Sequence, residues 1–252
     1  MDPAIIEDDL LGDLALLYEW PKAIAVTGAL GSGKTEFVLN LARGLKKNGK
    51  HVTIADADII NPYFCIRQVT DTLEQEGFSI LIPPEAAKWS DMSVINPSIG
   101  NAIVGDSDHL ILDVGGDAGG VMALKQFEPD LRSAGYKLIL VVNAFRPKTS
   151  TPEGVKQMAT RMEALGGLEV GALISNSHFM EDTTPEDVAK GLEMVREAGK
   201  LLSLPVLYAT VMPELYGSVA ELTAHSGVPL WPLKRFMTRP WEGTDMWSPE
   251  NP

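Results

Sequence analysis

At 252 residues, with 45% hydrophobic and 22% charged content, the chain can bury a sizeable core and sits at the upper end of what one domain holds. A formal net charge of −13, from 21 basic and 34 acidic residues, makes most of the surface repel a phosphate polymer and argues against nucleic acid as a partner. One cysteine, Cys65, excludes an intrachain disulfide framework or a CxxC metal site, and the absence of any bilayer-length apolar run, with an acidic start (Asp2, Glu7, Asp8, Asp9, Asp13), predicts a cytoplasmic protein without membrane contact.

In chain order, a helix is expected over residues 4–19, carrying Ile6, Leu10, Leu14 and Leu17 on one face. A short apolar run then predicts a strand over 23–28, which enters G-A-L-G-S-G-K-T at Gly28, Ala29, Leu30, Gly31, Ser32, Gly33, Lys34 and Thr35. This is a complete Walker A phosphate loop. Phe37, Val38, Leu41 and Leu45 follow at helical spacing until Asn48-Gly49, so the motif has the strand–loop–helix setting it requires. Its glycines let backbone N–H groups curl around an anion, and the helix start adds its positive end. Lys34 supplies a point charge for the β- and γ-phosphates. Thr35 offers a hydroxyl to Mg²⁺, which takes oxygen ligands and keeps several waters.

The second strand, expected over 51–56, runs into Asp56-Ala57-Asp58, and the next candidate spans 78–82. The strand over 109–114 runs into Asp113-Val114-Gly115-Gly116-Asp117. An apolar strand ending in aspartate beside a phosphate loop is the Walker B arrangement, which gives Asp113 a place in the Mg²⁺ shell. A turn or helix cap is the alternative role for a strand-terminal aspartate. Gly116 is positioned to offer a backbone N–H to the γ-phosphate and to move when that phosphate leaves.

Strands over 137–143, 169–175 and 205–211 complete the series. Between them, Thr151-Pro152-Glu153 and Thr184-Pro185-Glu186 each set a cap residue before a proline at the first helical position. Residues 229–252 read as a strap, because Pro232 and Pro240 break the basic cluster of Lys234, Arg235 and Arg239. The alternation predicts one α/β domain over 1–252, a doubly wound, mostly parallel sheet with helices on both faces. Ligands of such sheets sit beyond the carboxyl ends of the strands. The four histidines show no metal-ligand spacing.

The loop, the D-A-D and the D-V-G-G-D together resemble the MinD/ParA/CobQ branch of P-loop NTPases, by pattern over roughly residues 22–215. The string Asp56 to Phe64, with Arg67 following, resembles uncharacterised nucleotide-binding proteins of that branch. The resemblance implies that Asp58 orients the attacking water and that Asp56 lies close to the Mg²⁺ shell. It also implies that Asn176 meets adenine, for which an Asx turn is the alternative, and that Pro213 closes the other side of the base pocket. Glu36 belongs with the loop residues as a nucleotide contact. The chain reads N-S-H-F at the sixth strand end, where a guanine reader has N-K-x-D, so ATP is favoured over GTP.

One departure is informative. Dimeric switches of the branch carry a second lysine after the first loop glycine, where this chain has Ala29. A homodimer completed by that lysine is not expected, and one formed by other contacts stays open. Arg67 is either a replacement charge or a surface salt bridge. The resulting reading is an Mg²⁺-dependent ATPase switch acting on a protein partner in metalloenzyme or cofactor assembly, with activation of hydrolysis by that partner left open. The alternative is an ATP-dependent ligase or amidase of the CobQ/dethiobiotin-synthetase type.

Overall fold

A computed structural model describes residues 12–58, 66–83 and 95–237. Its frame is an eight-stranded sheet in the order β3-β2-β4-β1-β5-β6-β7-β8, with every pairing parallel. The strands are β1 (Ala23–Gly28), β2 (Val52–Ala57), β3 (Ser79–Leu81), β4 (His109–Val114), β5 (Tyr136–Val142), β6 (Val170–Ser175), β7 (Val206–Val211) and β8 (Leu230–Pro232). The helices, in chain order, are α1 (Lys34–Lys47), α2 (Thr70–Gln75), α3 (Ser98–Val104), α4 (Ala118–Lys125), α5 (Glu128–Ala134), α6 (Pro152–Gly166), α7 (Pro185–Leu202) and α8 (Tyr216–Thr223).

The central strands are apolar because both of their faces are covered. Alternate residues of β1 divide cleanly. Ile24 and Val26 join Ile111, Ile139 and Ile174 under Phe37, Val38, Leu41 and Leu45 of α1. Ala23 and Ala25 face the other way, with Leu110, Leu112, Leu138 and Leu140, under Val155, Ala159 and Met162 of α6. This is the doubly wound P-loop NTPase fold. The neighbouring strands β1 and β4 send their connections to opposite sides, to β2 and to β5, and the crevice forms at the carboxyl ends of these central strands.

The expected caps are in place. Thr151 accepts from the Gly154 N–H at α6, and Thr184 forms a reciprocal capping box with Asp187 at α7. Asp117, the last residue of D-V-G-G-D, caps α4 by accepting from the Gly120 N–H at 2.8 Å.

Two expectations need correction. The helix expected over 4–19 is helical among the described residues only at 12–15, so Leu14 is buried while Leu17 is 53% exposed; Ile6 and Leu10 lie outside the described residues. The strap contributes an eighth strand: Leu230, Trp231 and Pro232 register with Ala209, Thr210 and Val211. Pro232 is tolerated there because an edge strand does not need every N–H for pairing. Tyr63, Phe64, Cys65 and the strap beyond residue 237 lie outside the described residues.

Candidate functional site

The phosphate loop leaves β1 at Gly28 and enters α1 at Lys34. Gly31 and Gly33 hold φ of 72° and 82°, a left-handed backbone that side chains rarely adopt. A Cβ on Gly33 would lie 2.0 Å from the Asn176 amide nitrogen, so this turn depends on glycine twice over. Ala29 is buried, and Leu30 is 74% exposed at the loop tip.

Behind the loop, three carboxylates and two cations meet. Lys34 Nζ is 2.8 Å from Asp58 Oδ2, with both side chains almost fully buried. Burial works against the lysine's charge, yet the carboxylates of Asp113, Asp58 and Asp56 hold its pKa above the ordinary value. Asp56 and Asp113 stand opposite each other in the β2–β4 register. Asp56 accepts from the Asp58 N–H at 3.0 Å and from Arg67 Nε at 2.8 Å, while Arg67 also donates to the Asp58 carbonyl. Burial raises the Asp56 pKa, against the pull of Arg67. Arg67 is therefore a largely buried partner of the site, not a surface salt bridge.

Asp113 is fully buried, and its Oδ2 accepts from the Thr35 hydroxyl at 2.7 Å. Burial pushes its pKa up to about 7, against the opposing influence of Lys34 and Thr35. Its Oδ1 has no hydrogen-bond partner. A buried, unpaired carboxylate oxygen beside a threonine hydroxyl is a donor set that fits Mg²⁺. Among the described residues no three acidic, histidine or cysteine side chains form a closed metal cage. Mg²⁺ bound with substrate phosphates does not need one.

The D-V-G-G-D loop closes over this floor. A Cβ on Gly116 would fall 1.7 Å from the Gly28 carbonyl oxygen, and one on Gly115 would fall 2.9 Å from Asp58 Oδ1. Only glycines allow the loop to lie against both the phosphate loop and Asp58.

The remaining residues divide. Asn176 comes to the loop, but its amide donates to the Ser32 carbonyl at 2.7 Å and its oxygen accepts from Thr210 at 2.5 Å. One N–H and one lone pair remain for a base. Pro213 opens a short 3₁₀ turn after β7, at the same end of the sheet. Glu36 departs from the other loop residues: its carboxylate accepts the Phe236 and Met237 N–H groups of the strap.

Sequence reasoning missed Arg146, whose Nε donates to the Gly31 carbonyl at 3.0 Å. Its signal was a cation just past the end of β5, the strand beside β1. His178, on the next loop, accepts the Met180 N–H at Nδ1. Burial, reinforced by Arg146, lowers its pKa to about 4, so the imidazole is neutral.

Comparison with known proteins agrees with this architecture. No protein-family model matches the chain. Translation initiation factor IF-2 of Halalkalibacterium halodurans is 26% identical over 230 residues, which is 88% of this chain but only 29% of that protein. Among solved structures, the cell division protein FtsY of Thermotoga maritima superposes with a TM-score of 0.52 at 22% identity, over 79% of this chain and 67% of that one. FtsY of Mycoplasma mycoides gives a TM-score of 0.52 at 17% identity, over 86% and 72% of the two chains. The 54 kDa signal recognition particle protein of Aeropyrum pernix, solved with GDP, gives 0.50 at 18% identity over 75% and 41%. These neighbours share the P-loop NTPase fold read from the sequence; the MinD/ParA branch is not specifically shown by them.

Proposed function

We propose that the chain is an Mg²⁺-dependent nucleoside triphosphatase switch, with ATP as its nucleotide and a protein as its partner. The observation that carries this reading is the buried Lys34–Asp58 pair beneath a glycine loop built for an anion. A triphosphate gives Lys34 a stronger partner than one carboxylate. Asp58 is then released beside Gly115 and Gly116, where it accepts a hydrogen bond from water and aligns it with the γ-phosphate. The loop amides and Lys34 bind phosphate, and Gly116 reports whether the γ-phosphate is present. Thr35 and Asp113 would hold Mg²⁺, with Asp56 nearby; when bound, the ion neutralises charge developing on the phosphate oxygens. ATP is named ahead of GTP because Phe179 stands where a guanine reader has aspartate, which removes the preference for guanine.

A role in metalloenzyme or cofactor assembly extends this reading by family resemblance alone. The ligase alternative draws on Ala29, which leaves no lysine to cross a dimer interface. The two separate in one assay: Mg²⁺-dependent ATP turnover without added acceptor, measured across protein concentrations, with Lys34→Ala as the contamination control. The switch reading expects turnover that the control lacks. Nucleotide bound without turnover would mean a missing acceptor or activator, and would favour the ligase or an ATPase triggered by its partner.

A further inference from the structure

Two aromatic rings with no assigned role lie on the two loops that are tied to the phosphate loop. Phe145 follows β5 and Phe179 follows β6, and these strands are neighbours in the sheet. The rings stack with centroids 4.1 Å apart and planes inclined by 26°. Phe179 is 46% exposed, which is unusual for a large apolar ring in so polar a neighbourhood.

The pair is held in place from several sides. The Asn143 amide donates to the His178 carbonyl at 3.1 Å, and its oxygen accepts the Phe145 N–H at 3.0 Å. The Phe179 N–H donates to the Thr183 hydroxyl at 2.9 Å. The same two loops are tied to the phosphate loop, one by Arg146 on Gly31 and the other by Asn176 on Ser32. A nucleotide with its phosphates on that loop extends its base toward these strand ends.

We infer that the Phe145–Phe179 pair is a stacking platform for the nucleotide's base, selecting purines over pyrimidines by ring area while discriminating only weakly between adenine and guanine. This rests on the phosphate-loop reading above and adds the base specificity. Stacking on an aromatic ring is tolerant of base identity, because every base has a π-face and purines offer the larger one. Phenylalanine cannot accept the N–H groups along the guanine edge, so Phe179 removes an aspartate's discrimination without replacing it. Asn176, with one N–H committed to the Ser32 carbonyl and one lone pair to Thr210, keeps only one of each for the base edge.

The test is competition by ATP, GTP, CTP and inorganic tripolyphosphate, each with Mg²⁺, for a fluorescent ATP analogue on the full chain. ATP and GTP are expected within about tenfold of one another, with CTP weaker than both. Phe179→Ala is expected to weaken ATP and GTP about 10- to 100-fold, to leave tripolyphosphate unchanged, and to be rescued by Phe179→Trp. Circular dichroism confirms that each variant is folded. A preference for ATP over GTP above about a hundredfold, or a Phe179→Ala variant that binds ATP like the parent, would overturn the inference. Lys34→Ala separates the two readings: if it keeps tripolyphosphate affinity, the phosphate-loop reading has failed, whatever the base does.

Discussion

Lys34 and Asp58 form a buried ion pair, and Asp113, Asp58 and Asp56 together keep the lysine charged. Removing one partner of a buried pair strands the remaining charge, which costs far more than the pair's net contribution. Lys34→Ala should therefore lower stability by about 3–5 kcal/mol in urea unfolding, and Lys34→Ala/Asp58→Asn should recover part of that loss. An equal loss in both variants would mean that the lysine stabilises through packing alone. His178 supplies a pH dependence with a definite sign. Its folded pKa of about 4 lies below the ordinary histidine value, so the unfolded chain binds the extra proton. Its contribution to stability is full at neutral pH and fades as the pH falls from about 6.5 toward 4. The parent should lose more stability over that window than His178→Gln; parallel profiles would show that the imidazole carries no such linkage. At this scale the glycine turn of the Walker A loop and the meeting of Thr35 with Asp113 were legible, because the motif's spacing dictates that geometry. Glu36 was not, since its partners in the strap lie about 200 positions away and nothing local signals them. Arg146 escaped for the same reason: Gly31 is 115 positions distant.

Elements with local signals were legible and those defined by tertiary pairing were not. Thr184-Pro185-Glu186 states a helix start in three residues, and α7 begins there with a full capping box. Thr184→Ala should cost about 1 kcal/mol, read as a shift in the urea midpoint with an unchanged slope. The short strand β8 has three residues, one of them proline, and exists because β7 offers an open edge. Its Trp231 is fully buried against Phe37 and Tyr208, edge-on at centroid distances of 5.8 and 4.8 Å. Trp231→Ala should cost about 3–5 kcal/mol, as other large-to-small core changes do. A loss below 1 kcal/mol would place the strap outside the cooperative core. The strap also grips α1 directly, through Glu36, through Asn40 on Lys234, and through Arg43 stacked 3.6 Å above the Phe236 ring. Leu17 shows the opposite failure: apolar spacing extended a helix past the point where the chain turns and leaves the side chain exposed.

For the whole molecule, alternation of strands and helices determined the class but not the strand order. Any arrangement of buried parallel strands gives the same apolar runs, so the central position of β1 emerged only from the pairings. That position brings Asp56, Asp58 and Asp113 to one floor in a chain of net charge −13. Lys34 and Arg67 offset only part of that charge, so a divalent ion accompanying a polyphosphate strengthens its binding. Removing Mg²⁺ with chelator should weaken ATP binding about tenfold or more, by titration calorimetry, and Asp113→Asn should remove that Mg²⁺ dependence. The same affinity with and without Mg²⁺ would place the ion elsewhere.

The central claim is that Lys34 exchanges Asp58 for phosphate and that Asp58 then positions water. Its most direct test measures ATP affinity and single-turnover hydrolysis for the parent and Asp58→Asn under identical Mg²⁺. The exchange predicts that Asp58→Asn binds ATP at least as tightly, because its lysine is already free, while hydrolysis falls about a hundredfold. Hydrolysis at the parental rate would contradict the account, leaving the Lys34–Asp58 pair as a structural clasp alone.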